Sequence, residues 1–502
     1  MELIAMEDGP DKMMKERSSQ RILLAFVCCV LVCIPFLLVT FPPITDLPQH
    51  VAQVSLFQDA ISNPESPYRV QWLTPYSLVY VVLGISYGIS GAAHAGSLGM
   101  VLLAFMWIGI VHWLAAKHGR PLSGAVLATV LFFSHIVYWG FYQFVLGWIV
   151  FLAWVLLTQT KREKMYQEFC LFLIGAALLY MAHVLWLFVA LAWLVVGDIL
   201  FRRQWKNILV RFGATIPVCC LVIIWYPSLA AYGFGSKTHW LRPPLKRFSF
   251  SWLVDSALGG LKGSSEYVVV GVILTWIVLT LVQYRRDIRR HLNVELLLLG
   301  LGFFVLGLTL PDKHTNTIQF AQRWIPPAVC LVILSLPPLR IKRSIVQVGA
   351  TVVVVGFILT TSLSWRMFES TGYSGMQEAL NELPLNPRVI GLSYIQRSPF
   401  TRGKPFIQGF AYSQVYRGGE LNFSFADFGP SLVVYRKRRD IPWTSGLEWF
   451  PERVRVRDFR YFDYALIHGS DELHTQLKGI GLLKAVTKKG MWRLYKTSND
   501  ER

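Results

Sequence analysis

The stretch YSLVYVVLGISYGIS, Tyr76 to Ser90, is the one on which the topology turns. It is apolar but only about fifteen residues long, short of the roughly 20 that a membrane span needs. Pro75 and Gly91 bound it. If it crossed, every later loop would change sides. The clusters Lys117/Arg120, Lys161/Arg162/Lys164, Arg202/Arg203/Lys206, Arg285/Arg286/Arg289/Arg290 and Arg340/Lys342/Arg343 would then all face outward. Short loops rich in Lys and Arg stay on the cytoplasmic side. Tyr76 to Ser90 is therefore expected to be a helix lying at the outer interface or re-entering it.

Working outward from that segment, about eleven spans are expected, at 22–41, 97–116, 122–138, 143–158, 166–182, 184–201, 208–226, 266–283, 294–310, 324–339 and 345–363. Residues 1–21 form a cytoplasmic segment, 22–363 the transmembrane part with a first outer loop at 42–96, and 364–502 a tail on the opposite side. The run Ile22 to Phe41 lacks a small-residue cleavage site and precedes Pro42 and Pro43, so it reads as a retained first span. The fold class is thus an all-α polytopic membrane bundle with a C-terminal extracytoplasmic α/β domain.

Composition agrees with lipid as solvent: 54% of residues are hydrophobic and only 16% charged. The net charge of +19 comes mostly from clusters between apolar runs, which excludes nucleic acid as the partner. The seven cysteines all fall in apolar runs, with neither a disulfide framework nor zinc spacing. In the tail, helical spacing at 375–383 and 472–479 alternates with strand-like runs at 388–394, 431–435 and 462–468. A terminal hairpin is expected at 482–495.

Chemistry gathers on the outer side. The first outer loop begins FPPITDLPQHVAQVSLFQD, Phe41 to Asp59. Asp46 is either the N-cap of a helix, with His50 incidental, or a partly desolvated base beside an imidazole. A divalent metal would find one Asp and one His here, short of a ligand set, so no metal or other cofactor is assigned. The loop GFGSKTHWLRPPLKR holds Lys237, His239, Arg242, Lys246 and Arg247, suited either to a lipid phosphate or to headgroups non-specifically. The loop LPDKHTNTIQFAQRW holds Asp312, Lys313, His314, Gln322 and Arg323. Arg323, beside a span end, either snorkels or binds an anion. His183 sits at a tight turn within LLYMAHVLWLF, and YWGFYQF, Tyr138 to Phe144, reads as an interfacial aromatic belt in preference to a sugar platform.

These motifs resemble the GT-C superfamily of polytopic membrane glycosyltransferases. The resemblance rests on the acidic motif TDLPQH after the first span, the apolar interfacial helix, the hairpin around His183, and the late loop ending in QRWIPP. It implies an enzyme of the bacterial inner membrane with its N-terminus inside. Such an enzyme transfers a sugar from a polyprenyl-phosphate donor to a glycan, lipid or protein acceptor on the outer face. It further implies Asp46 as base and Arg323 and Arg242 as phosphate ligands. Many GT-C members carry two nearby acids in this loop, whereas here Asp46 is followed by His50 and the next acid is Asp59. Two other functions fit the topology: a transporter or flippase for a lipid-linked saccharide, and a non-catalytic scaffold in envelope-polysaccharide assembly. No repeated half or pair of broken spans favours the transporter.

Overall fold

The computed structural model describes residues 10–160, 162–202, 205–231, 237–315, 317–437, 439–478 and 481–497. Eight helices among them are long and apolar enough to cross a membrane, and the chain is an integral membrane protein. The expected spans at 143–158, 294–310 and 324–339 fall on shorter apolar helices, Tyr142–Thr158, Val294–Thr309 and Ile325–Ser335. The expected span at 122–138 is not one rod. It runs as Leu122–Ala128, a tighter turn at Thr129–Phe133, and His135–Trp139, and it ends on Gly140 in the left-handed region.

Three helices begin the described chain. Helix α1 covers Pro10–Leu37 and α2 covers Leu47–Ser62. Helix α3, Leu78–Lys117, is interrupted at Gly91, where φ is 68° and ψ is −177°. L side chains avoid that backbone region, so a glycine there breaks the rod. The segment 78–90 is thereby set apart from 92–117, which is long enough to cross by itself at about 1.5 Å per residue.

Strand β1, Tyr68–Val70, lies in the first loop. Strands β2 (Thr238–His239), β3 (Lys313–His314) and β4 (Thr317–Ile318) make a small antiparallel sheet from two segments far apart in sequence. The tail carries β5 (Arg388–Ser393), β6 (Glu420–Leu421), β7 (Val433–Tyr435), β8 (Tyr464–His468), β9 (Leu483–Ala485) and β10 (Trp492–Thr497). Five of these form one mixed sheet in the order β6-β5-β8-β10-β9. Strand β5 is parallel to β6 and β8, whereas β10 is antiparallel to β8 and β9.

Strand β7 departs from the expectation that 431–435 belongs with the rest of the tail. It pairs antiparallel with β1, register Tyr68↔Tyr435 and Val70↔Val433. The tail is therefore stitched to the segment between α2 and α3. Its packing follows suit: Ile390, Ile467 and Tyr495 build a core of their own, while Phe406, Phe410 and Trp492 belong to the same apolar core as the helices.

Arg211 is buried and bridges neighbouring helices. Its guanidinium meets Glu168 at 2.5 Å and Asp198 at 3.2 Å. Pairing of this kind is what allows three charges to lie among apolar helices.

Candidate functional site

Asp46 stands at the N-cap position of α2, yet its carboxylate makes no capping hydrogen bond. Its backbone explains why. The Asp46 N–H donates to the Trp139 carbonyl at 3.1 Å, and the Thr45 N–H donates to that of Tyr138 at 2.9 Å. The loop is laced to the 138–140 turn, and the side chain is turned into a cavity of about 790 Å³. Pro48 near the helix start lacks an N–H to be capped, which fits a helix begun without a side-chain cap. Burial raises the Asp46 carboxyl to about 7, with Arg323 pulling the other way. The carboxylate has no hydrogen bond or ion pair among the described residues.

His50, one turn on, faces the same cavity but is fully engaged. Nε2 lies 3.1 Å from the Gly140 carbonyl, which only accepts, so Nε2 carries the proton. Nδ1 then accepts from the Tyr80 hydroxyl at 3.1 Å. Burial pushes the ring down to about 3, so it stays neutral. His50 is thus a strut between α2 and the Gly140 turn. A pair with one free carboxylate and one fully used imidazole does not fit a resident metal. Among the described residues no group of three or more His, Cys, Asp or Glu is arranged to hold one.

Arg323 reaches the cavity from just before the start of the helix Ile325–Ser335. Its Nε and Nη2 both donate to the Ile318 carbonyl, at 3.1 and 2.8 Å, and the guanidinium lies 3.6 Å from the centroid of Phe141. Burial lowers its pKa to about 9, opposed by the nearby Tyr76 and Asp46. No ion pair joins Arg323 to Asp46 among the described residues; both face the same space. His183 lines it too. Its Nδ1 accepts from the Leu185 N–H at 3.3 Å, so the proton is on Nε2. The Tyr76 ring packs edge-on against His183 at 4.8 Å, and Tyr76 is itself held at φ 69°. A bulky residue in that region is strained and marks a position fixed by its surroundings.

YWGFYQF is not an interfacial belt: Trp139, Gly140, Phe141, Gln143 and Phe144 line the cavity. Beneath them Phe144, Trp186 and Trp324 pack with centroids 4.9 to 5.2 Å apart. Gly147 permits this packing, since a Cβ there would lie 2.2 Å from the Trp186 ring.

The tail supplies the facing wall, including Gln408, Phe423, Phe425, Glu448 and Trp449. Two buried amides on α2 hold it there. Gln49 donates to Gln408 Oε1 at 2.9 Å and accepts from the Phe425 N–H at 3.0 Å. Gln53 donates to the Val433 carbonyl at 3.1 Å and accepts from its N–H at 2.8 Å. Sequence reading missed this wall. The available signal was Gln49 and Gln53, four apart on a helix buried over its first half, where buried polar groups need partners.

Of the sequence-derived candidates, Asp46, His50, His183, His314 and Arg323 come together. His314 is exposed at the mouth, its Nδ1 2.9 Å from the Thr238 hydroxyl. Lys237, His239, Arg242, Asp312, Lys313 and Gln322 do not line the cavity. Asp312 is instead a structural carboxylate. It accepts from Arg247 at 2.9 Å and from the N–H groups of Leu241 and Arg242 at 2.8 and 3.1 Å. Arg247, itself buried, also donates to the Gly307 and Leu308 carbonyls. The segments around Arg242 and Asp312 are thereby locked together, and the Arg242 side chain is left exposed.

No protein-family model matches the chain. No curated protein matches it. Among solved structures it is similar to ArnT from Cupriavidus metallidurans in the apo state, with TM-score 0.54 and 12% identity over 96% of this chain and 99% of that one. It is equally similar to ArnT bound to undecaprenyl phosphate, with TM-score 0.54 and 13% identity over 95% and 98% of the two chains. Arabinofuranosyltransferase AftD from Mycobacteria matches at TM-score 0.50 and 14% identity, over 96% of this chain but 40% of AftD. At such identity the likeness is one of fold, and the chain shares the fold of ArnT and of the matched part of AftD.

Proposed function

We propose that this protein is a membrane glycosyltransferase that takes a sugar from a polyprenyl-phosphate donor on the extracytoplasmic face. One observation carries the reading. An unpaired carboxylate raised to about 7 and a buried guanidinium face one cavity of about 790 Å³. In this topology eleven helices cross, the N-terminus is cytoplasmic, and the residues after 364 form an α/β domain on the outer side. The likeness to an ArnT structure bound to undecaprenyl phosphate supports the choice of carrier.

The chemistry is displacement at the anomeric carbon. The acceptor hydroxyl oxygen attacks it, the bond to the donor phosphate oxygen breaks, and the hydroxyl proton passes to Asp46. A carboxylate near 7 is a stronger base than an ordinary one and is still substantially ionised at neutral pH. Arg323 neutralises the departing phosphate, a charge-assisted contact in a site with little water. Nε2–H of His183 is a second donor on the same wall. His50 keeps α2 and the Gly140 turn in place and so positions Asp46.

The test is native mass spectrometry of the purified protein with added undecaprenyl phosphate, together with a transfer assay. The wild type should hold the carrier, Arg323→Ala should lose it, and Asp46→Asn should bind it without transfer. Carrier bound equally by Arg323→Ala, or transfer undiminished in Asp46→Asn, refutes the assignment.

A further inference from the structure

The two walls of the cavity differ in chemistry. Among the described residues that line it, Arg323 is the one Lys or Arg, and it belongs to the membrane wall. The tail wall carries Glu448, Gln408 and Trp449 beside phenylalanines. Glu448 is 7% exposed; its carboxylate takes a hydrogen bond from its own N–H and has no other hydrogen-bond or ion-pair partner among the described residues. Asp427 acts on it through space and is itself paired with Arg439 at 2.5 Å. Gln408 gives its Oε1 to Gln49, which leaves its NH₂ group without a partner among the described residues. The Trp449 backbone is pinned by Gln396, which donates to its carbonyl at 2.8 Å. Lys404, which does not line the cavity, places its ammonium 5.1 Å from the Trp449 centroid.

An indole beside a carboxylate with acceptor sites to spare and an unpaired amide donor is what a polyhydroxylated ring requires. The C–H bonds of one sugar face carry partial positive charge and lie on the negative face of an aromatic ring. Hydroxyls at the ring edge both donate and accept. Charge narrows the class further, because a buried carboxylate repels a carboxylate or phosphate and favours an ammonium.

We propose that the tail wall is a saccharide subsite, in which a neutral or amino sugar ring lies on Trp449 with Glu448 accepting and Gln408 donating hydrogen bonds at its edge. This rests on the glycosyltransferase reading only for the origin of the ring, donor or acceptor; the recognition chemistry stands on the wall itself.

The experiment uses the full chain in nanodiscs and saturation-transfer NMR with methyl glucoside, methyl glucosaminide and methyl glucuronide. The neutral and amino glycosides should bind and the glucuronide should not. Trp449→Ala should weaken binding about tenfold, and Trp449→Phe should retain most of it. Glu448→Gln should reduce the preference for the amino sugar over the neutral one. Undecaprenyl-phosphate glucose as competitor then assigns the ring: displacement marks the donor sugar, co-binding the acceptor. No glycoside signal, a signal unchanged in Trp449→Ala, or a preference for glucuronide overturns the proposal. Carrier binding on the same samples separates the two readings. Glycosides bound through Trp449 without any carrier would keep the subsite and remove the transferase, whereas carrier bound and glycosides refused would do the reverse.

Discussion

Gly140 and Asp46 touch backbone to side chain: a Cβ on Gly140 would sit 2.8 Å from that of Asp46. Gly140 also has φ 93°, a conformation L side chains rarely adopt. Gly140→Ala should therefore move the carboxylate, not merely strain a turn. The expected result is a loss of transfer of about a hundredfold, as for an ångström-scale misplacement, with carrier binding retained. Kinetics and native mass spectrometry on the same preparation check this.

The pH profile follows from Asp46 and His50. A base must be ionised, so transfer should rise with pH through about 7, with one acidic limb. His50, held near 3, should add none around the usual histidine range. A measured limb assigned to His50 near neutrality would contradict its role as a strut.

Stability should move oppositely to activity. The Asp46 pKa is raised on folding from 3.8 to about 7, so the folded state binds the extra proton. That stability is fully present below 3.8 and is lost as pH rises through about 7. Asp46→Asn should therefore melt higher than the wild type at pH about 8, with the gap closing as pH falls toward 4. Thermal melts across pH measure it.

Arg323 works through shape as well as charge, because it stacks on Phe141 at 3.6 Å. Arg323→Lys should keep the charge but lose the planar fork and the stack. Carrier affinity should fall about tenfold in Arg323→Lys and up to about a hundredfold in Arg323→Ala. Titration with undecaprenyl phosphate distinguishes the two.

Gln53→Leu should unclasp the tail wall. It removes both hydrogen bonds to Val433 and leaves a buried N–H and C=O unpaired, a loss of about 2 to 4 kcal/mol. Limited proteolysis should cut sooner between residues 423 and 437, with the membrane helices intact.

Much of this was legible beforehand, and the reason is physical. Spans announce themselves by length and apolarity, so the helices and the break at Gly91 follow from local sequence. Asp46, His183 and Arg323 could be nominated because charge sorts the loops to one side. What could not be read was pairing at a distance. Asp312 looked like a site residue until Arg247, 65 positions away, proved to hold it. The aromatic run at 138–144 looked like a belt because its composition is that of one; only its lacing to Thr45 and Asp46 makes it a wall. Glu448 and Trp449 carry no local motif at all.

The clasp between α2 and the tail also sets a timetable. Gln53 and its partner Val433 lie 380 positions apart. At ribosomal speeds of about 5–20 residues per second, the α2 amides wait roughly 20 to 80 s for their partners. The cavity wall thus closes late, long after α2 has been made. A nascent chain can complete its membrane helices while its reactive carboxylate still lies open to water, and only delivery of the tail closes the wall over it.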